Sequence, residues 1–244
     1  MSRVTLGIDR FISTGHGVKK KVGLVTNATG RTAEGVPSWR ALIDAGYDVA
    51  AFFGPEHGFR GEAQDAVEVG DEEFLGIPVY SLYGNRLRPT EEMLTPLDAV
   101  VYDIQDVGCR YYTYLYTLAY VMEACEQTDT ELIVLDRPNP IDADRVEGSG
   151  IPSEADSFVG GYGLAPRYGM TVGEFAGYLK GEYYPAVRLS VEWMHGYDRS
   201  SFFDRTGLPW PLPSPNLPSV DAALLYPGTC LVEGTNLSEG RGTT

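Results

Sequence analysis

The sequence predicts an α/β fold, an open parallel sheet with helices on both faces. Short, apolar, β-branched runs alternate with helical stretches in a β-α-β-α order. The runs also end in polar clusters. Asn27 follows KVGLVT, Glu56 and His57 follow VAAFFGP, and Gly84 and Asn85 follow VYSLY. Asp103, Gln105 and Asp106 close AVVYDIQD, and Asp136 and Arg137 close ELIVLDR. In a parallel sheet such positions share the carboxyl edge, where ligands bind.

Each element has its own signal. Residues 1–21 read as a lead-in, with Gly15, Gly17 and a lysine run that makes a solvated turn. KVGLVTNA is a short buried strand. VPSWRALIDAG is a helix with Pro37 near its start, Trp39, Leu42 and Ile43 along one side, and Gly46 as its stop. DVAAFFG is the second strand. Gly54 to Gly76 is rich in glycine and acid and reads as a long functional loop with a little helix. IPVYSLYG is the third strand, and TEEMLTPL opens on Thr90 as a cap with glutamates in the first turn. DAVVYDIQ is the fourth strand, YYTYLYTLAYVMEACEQT a strong helix, and ELIVLDRP the fifth strand, stopped by Pro138 and Pro140. Beyond residue 150, GMTVGEFAGYLKGEY is a helix capped by Thr171, and AVRLSVEWM alternates like a strand with one exposed face. LPWPLPSPNLPSV, with five prolines in thirteen residues, is stiff and extended. It reads as a linker or as a rigid wall across a site. The wall is favoured because Trp210 and Asn216 give it ligand-facing chemistry. LVEGTNLSEGRGTT has the composition of a loop approaching a site, and a chain that stops there is expected to be part of a longer protein.

Composition narrows the function. The 244 residues, 43% of them apolar, suffice for a substantial core. No apolar run is long enough to cross a membrane. No leader of basic and then apolar character opens the chain, so a cytoplasmic location is expected. The formal charge of −15 disfavours nucleic acid and anionic membrane surfaces as partners. Only Lys19, Lys20, Lys21 and Lys180 are lysines among 19 basic residues, a balance that fits a salt-adapted surface or a merely acidic one. Cys109, Cys125 and Cys230 are too scattered for a disulfide framework, and they and the three histidines have no metal-ligand spacing. No cofactor is expected: neither GxGxxG nor GxxxxGK[ST] occurs, and no GxSxG elbow.

The candidate chemistry follows from the strand ends. Glu56 in FGPEHGFRGE lies among glycines that let a ligand approach, and near aromatic rings its pKa can rise to suit a general acid. The alternative is a solvated loop glutamate. Asp103, Asp106 and Arg110 in DIQDVGCRYYTY can serve a ligand or form a structural network. Arg137 can grip a ligand carboxylate in a bidentate fork, or pair with Asp136 or Asp103.

Taken together, FGPEHGFRG, DIQDVGCRYYTY, LDRPNP, SPNLP and LYPGTCLVEGTNLSEGRGTT resemble the exo-β-N-acetylmuramidase family, from about Gly7 to Thr244. The resemblance implies a Rossmann-like N-terminal domain, a smaller C-terminal domain, and a cleft between them. It implies release of N-acetylmuramic acid from the non-reducing ends of peptidoglycan fragments. On that basis residues 1–150 form the Rossmann-like domain, and 151–244 hold the remaining elements, the proline-rich segment and an incomplete start of the second domain. Glu56 is the implied catalytic acid and Glu239 the second catalytic glutamate. Asn27, His57, Asp103, Asp106, Arg110, Asp136, Arg137, Asn216, Glu233, Asn236 and Arg241 are the implied substrate-binding positions. The partner is a muramyl sugar or peptidoglycan fragment, whose lactyl carboxylate suits Arg110, Arg137 or Arg241. The carboxylates of Glu56, Asp103, Asp136 and Glu239 are expected at one cleft. The rivals are a non-catalytic amino-sugar or muropeptide-binding protein, and a metal-dependent hydrolase using Glu56, His57, Asp103 and Asp136.

Overall fold

The computed structural model describes residues 3–16, 18–56, 58–59, 71–214 and 216–237. Its centre is one seven-stranded sheet. Numbered along the chain, the strands are β1 (Lys21–Thr26), β2 (Asp48–Gly54), β3 (Glu72–Phe74), β4 (Ile77–Ser81), β5 (Ala99–Asp103), β6 (Glu131–Leu135) and β7 (Leu189–Glu192). The helices are α1 (Gly7–Thr14), α2 (Ser38–Asp44), α3 (Glu91–Leu94), α4 (Tyr114–Gln127), α5 (Val172–Glu182) and α6 (Val220–Thr229). The sheet order is β3-β4-β2-β1-β5-β6-β7, and all pairs are parallel except β3 with β4. Without the antiparallel edge strand, this is the 3-2-1-4-5-6 order of dinucleotide-binding sheets. The α/β, Rossmann-like expectation is therefore met. The boundary drawn at residue 150 falls inside this unit, because α5 and β7 complete the same sheet.

Alternation along the strands builds two cores. Val25, Phe53, Val100, Tyr102, Leu132 and Val134 face α4 and α5. Leu24, Phe52, Val101, Ile133 and Leu135 face the other way, onto Ile8 and Phe11 of α1 and Leu42 of α2. Helix α4 buries residues all round, which a helix does when structure covers it on every side. Helix α5 starts as its sequence predicts, with Thr171 and Glu174 closing a reciprocal capping box.

Three stretches differ from the sequence reading. The lead-in contains α1, whose Ile8, Phe11 and Ile12 follow a helical spacing that the neighbouring glycines and lysines obscured. The acidic loop contains β3, a short charged strand at the exposed edge, a placement that discourages edge-to-edge pairing. Helix α6 precedes the terminal loop, whose described start contains a short 3-10 turn, Cys230–Gly234, while residues 238–244 lie outside the described residues.

Candidate active site

Strand order places the functional crevice. The chain runs outward from β1 in both directions, to β2 on one side and β5 on the other, and ligands bind at such a switch point. The strand exits there are stitched together. Thr26 Oγ1 donates to the Asp103 carbonyl at 2.8 Å, and the Gln105 amide donates to Thr29 Oγ1 at 2.9 Å. Gln105 Nε2 then reaches the Pro138 carbonyl after β6 at 2.6 Å.

Glu56 sits just past the end of β2, half-buried. Its Oε2 accepts from Thr113 Oγ1 at 2.7 Å, at the start of α4, and its Oε1 carries no hydrogen bond among the described residues. The Glu56 charge reaches Tyr114, whose hydroxyl is pushed up chiefly by burial. Asn27 adjoins the same tyrosine. Asn27 Oδ1 accepts from the Thr29 amide (2.9 Å) and hydroxyl (2.6 Å), while its buried Nδ2 is unpartnered. This buried Nδ2 lies beside the Tyr114 hydroxyl, whose pKa it holds below where burial alone would put it.

Next to this corner lies a cleft of about 350 Å³, lined by Thr29, Arg31, Gln105 and Arg137 on the sheet side. Leu208, Pro209, Trp210, Pro211 and Leu212 form the opposite side. The proline-rich segment is thus a wall across the strand ends. It is held by Tyr114, whose hydroxyl donates to the Pro213 carbonyl at 2.8 Å. The Trp210 N–H donates to the Leu217 carbonyl at 2.8 Å, so Trp210 offers a ligand its ring rather than a donor. Asn216 is half-buried in the turn that follows, its backbone amide donating to Ser214 Oγ at 3.2 Å.

Arg137 also lines the cleft, but the bidentate fork expected for a ligand is filled by protein. Its Nε and Nη2 donate to the two carboxylate oxygens of the fully buried Asp103, at 2.7 and 2.8 Å. Asp103 is therefore not a free acid at the cleft; it orients Arg137. Asp9 lies close to both, its carboxyl raised by burial.

Asp136, Asp106, Arg110, Glu233 and Asn236 are not among the residues that line the cleft. Asp136 accepts from the Gly173 amide at 2.9 Å at the start of α5, and burial pushes its carboxyl up to about 6. Its carboxylate serves the helix, which corrects its expected place among the cleft acids. Asp106 accepts from the Gly108 amide (2.7 Å) and from the Tyr168 hydroxyl, and burial pushes it up to about 6 as well. Arg110 Nη1 donates to the Ser149 and Leu164 carbonyls at 2.8 and 2.6 Å, clamping a loop. The hydrogen-bond partners of Asp106 and Arg110 are thus protein groups, while Asp106 Oδ1 and Arg110 Nε are buried without a partner among the described residues. Glu233 and Asn236 are exposed on the turn after α6. His57, Glu239 and Arg241 lie outside the described residues. Sequence reasoning missed Thr29, Arg31 and Thr113. Arg31 had a usable signal, since it stands in the loop directly after β1.

Among the described residues no group of three or more His, Cys, Asp or Glu is placed to hold a metal ion. No helix there is long and apolar enough to cross a membrane.

Comparison with known proteins agrees with this architecture. A family model described as exo-β-N-acetylmuramidase NamZ, N-terminal, matches residues 22–221, and the C-terminal model matches residues 224–244. The chain is 47% identical over 232 residues to the peptidoglycan β-N-acetylmuramidase NamZ of Bacillus subtilis (strain 168). That match covers 92% of this chain and 55% of the relative, so the chain spans about half the relative's length. A crystal structure of a DUF1343 family protein from Bacteroides fragilis superposes with a TM-score of 0.90 at 38% identity, covering 99% of this chain and 63% of that one. A second from the same organism gives 0.84 at 34% identity, covering 100% and 65%.

Proposed function

Because this chain belongs to the exo-β-N-acetylmuramidase NamZ family, we propose that it forms the sheet-bearing part of a glycoside hydrolase acting on peptidoglycan-derived fragments. The reaction is release of N-acetylmuramic acid from their non-reducing ends. The observation that carries this reading is the setting of Glu56. It stands at the carboxyl end of β2, one oxygen anchored by Thr113 and the other unengaged among the described residues. A general acid needs that arrangement: a carboxyl held in orientation, with one oxygen left to carry a proton to the departing glycosidic oxygen. Asn27 adjoins the same Tyr114 hydroxyl that feels the Glu56 charge. Glu239, or the acetamido group of the sugar itself, completes the pair of groups that glycoside hydrolysis uses.

Glu56→Gln tests the assignment. The change preserves shape and removes the transferable proton. We expect kcat on a natural muropeptide fragment to fall about 10²–10⁴-fold with KM little changed. On a nitrophenyl muramide the loss should be smaller, because that leaving group departs with less need of a proton. Equal losses on both substrates would remove Glu56 from the acid's role, and activity abolished by a chelator would favour a metal-dependent hydrolase instead.

A further inference from the structure

The charged residues lining the 350 Å³ cleft are Arg31 and Arg137; no acid is among the described residues that line it. In a chain of formal charge −15, that is a local reversal of sign. Both guanidinium groups are already fixed in place. Arg137 is locked by Asp103, and its Nη2 also donates to the Arg31 carbonyl at 2.7 Å, which sets its head against the backbone of Arg31. Arg31 is held by its own loop, Nε donating to the Ala28 carbonyl at 2.9 Å and Nη1 to the Gly35 carbonyl at 3.0 Å. Each arginine keeps one terminal nitrogen, Nη1 of Arg137 and Nη2 of Arg31, without a hydrogen bond among the described residues. The charges differ in a useful way. Asp103 balances Arg137, whereas Arg31 makes no ion pair among the described residues. The cleft is thus lined by two pre-oriented donor groups, while the acids near them, Asp103 and Asp9, are turned to Arg137 and to the Ala33 amide rather than into it.

We propose that this cleft is a carboxylate-reading subsite, in which Arg31 and Arg137 together bind the carboxylate of a sugar acid. The apolar wall opposite fits the rest of the ligand. Trp210 is fixed through its N–H and turns its ring to the cleft, a surface on which a pyranose can stack. The volume lies near the lower end of small-molecule sites, the size of one sugar residue with a substituent. Pre-orientation matters energetically, because neither arginine must lose side-chain freedom when the ligand binds. Resting on the muramidase reading, the subsite names its discriminating feature: the lactyl carboxylate that N-acetylmuramic acid has and N-acetylglucosamine lacks. Arg110, the other described arginine suited by sequence, is committed to carbonyls at a different loop.

The test is calorimetric binding of N-acetylmuramic acid, N-acetylglucosamine and D-lactate to the intact protein and to Arg31→Gln and Arg137→Lys. A hydrogen bond to a charged group is worth roughly tenfold or more in affinity. We expect N-acetylmuramic acid to bind at least about tenfold more tightly than N-acetylglucosamine, with a preference that shrinks as salt is raised. Arg31→Gln should erase most of that preference and leave N-acetylglucosamine binding unchanged. Arg137→Lys, checked for an unaltered circular dichroism spectrum, should do the same. Lactate that binds as tightly as N-acetylmuramic acid would show a site for any small carboxylate and overturn the sugar-acid assignment. Equal affinity for the two sugars in the unmodified protein, or equal loss of both in Arg31→Gln, would overturn the subsite. The two readings fail separately. A protein that prefers N-acetylmuramic acid but cleaves no muramide keeps the subsite and loses the hydrolase, and one that cleaves muramides with undiminished selectivity in Arg31→Gln does the reverse.

Discussion

Gly30 occupies the most crowded point of the crevice. A Cβ there would press into Thr26 Oγ1 and Ser38 Oγ and come within 2.6 Å of the Asp103 carbonyl oxygen. These are the groups that join the β1 exit to the β5 exit, so the loop carrying Thr29 and Arg31 can lie against the sheet only if residue 30 lacks a side chain. Gly30→Ala should destabilise by about 3 kcal/mol or more through overpacking, lowering Tm by roughly 6–12 °C in a scanning calorimeter. Gly177, inside α5 with nothing within 4 Å of its would-be Cβ, is the control. Gly177→Ala should raise stability by about 0.5–1 kcal/mol on helix propensity alone. A Gly30→Ala protein as stable as the parent would show that the loop can be displaced without cost.

At the scale of elements, α5 begins on two kinds of cap. Thr171 and Glu174 close the capping box, and Asp136, projecting from the end of β6, accepts from the Gly173 amide. The second contact ties helix to sheet but buries a carboxyl. Burial raises its folded pKa to about 6 from an ordinary 3.8, and Asp106 is raised to about 6 by the same cause. A raised acid binds its proton more tightly in the folded state. Its contribution is therefore fully present below about pH 4 and is lost as pH climbs through 6. Above that, each ionised carboxylate is a cost on the order of 3 kcal/mol. Asp136→Asn keeps the acceptor oxygen for Gly173 and removes the charge. Its Tm at pH 7 should exceed the parent's by several degrees, with little difference near pH 4, so that melting curves across pH 4–7 become flatter. A variant less stable than the parent at pH 7 would mean that the ionised carboxylate, favoured by the helix N-terminus, outweighs its burial.

For the whole molecule the governing quantity is the charge of −15 with a pI near 4.5. Among the described residues several ion pairs are exposed and individually weak, for example Arg40 with Asp44 and Arg188 with Asp129. Long-range repulsion among carboxylates is thus not cancelled locally. Salt that shortens the Debye length from about 10 Å at 0.1 M to about 3 Å at 1 M removes it. Tm at pH 7.5 should rise on adding NaCl and level off by about 1 M. A Tm that falls with salt would show that the surface pairs matter more than the net charge.

What the sequence determined by itself is what short-range physics controls. Alternation and β-branching marked β1, β2, β4, β5, β6 and β7. Thr171 marked the start of α5, and the spacing of prolines predicted a stiff wall, because each of these depends on neighbours a few residues away. The hidden elements, α1 and β3, are short and sit among glycines and charges that dilute their pattern. The partners of the site residues were decided only by the tertiary structure. Arg137 faced Asp103 and Asp136 as equal choices; the sheet order chose Asp103, 34 residues distant, and left Asp136 to the Gly173 amide. Glu56 meets Thr113 across 57 residues, and Arg110 is taken by the Ser149 and Leu164 carbonyls. A strand end declares that a polar residue lies on the carboxyl edge. Which of the groups on that edge are consumed by one another, and which are left facing the cleft, depends on the order in which the strands are laid side by side.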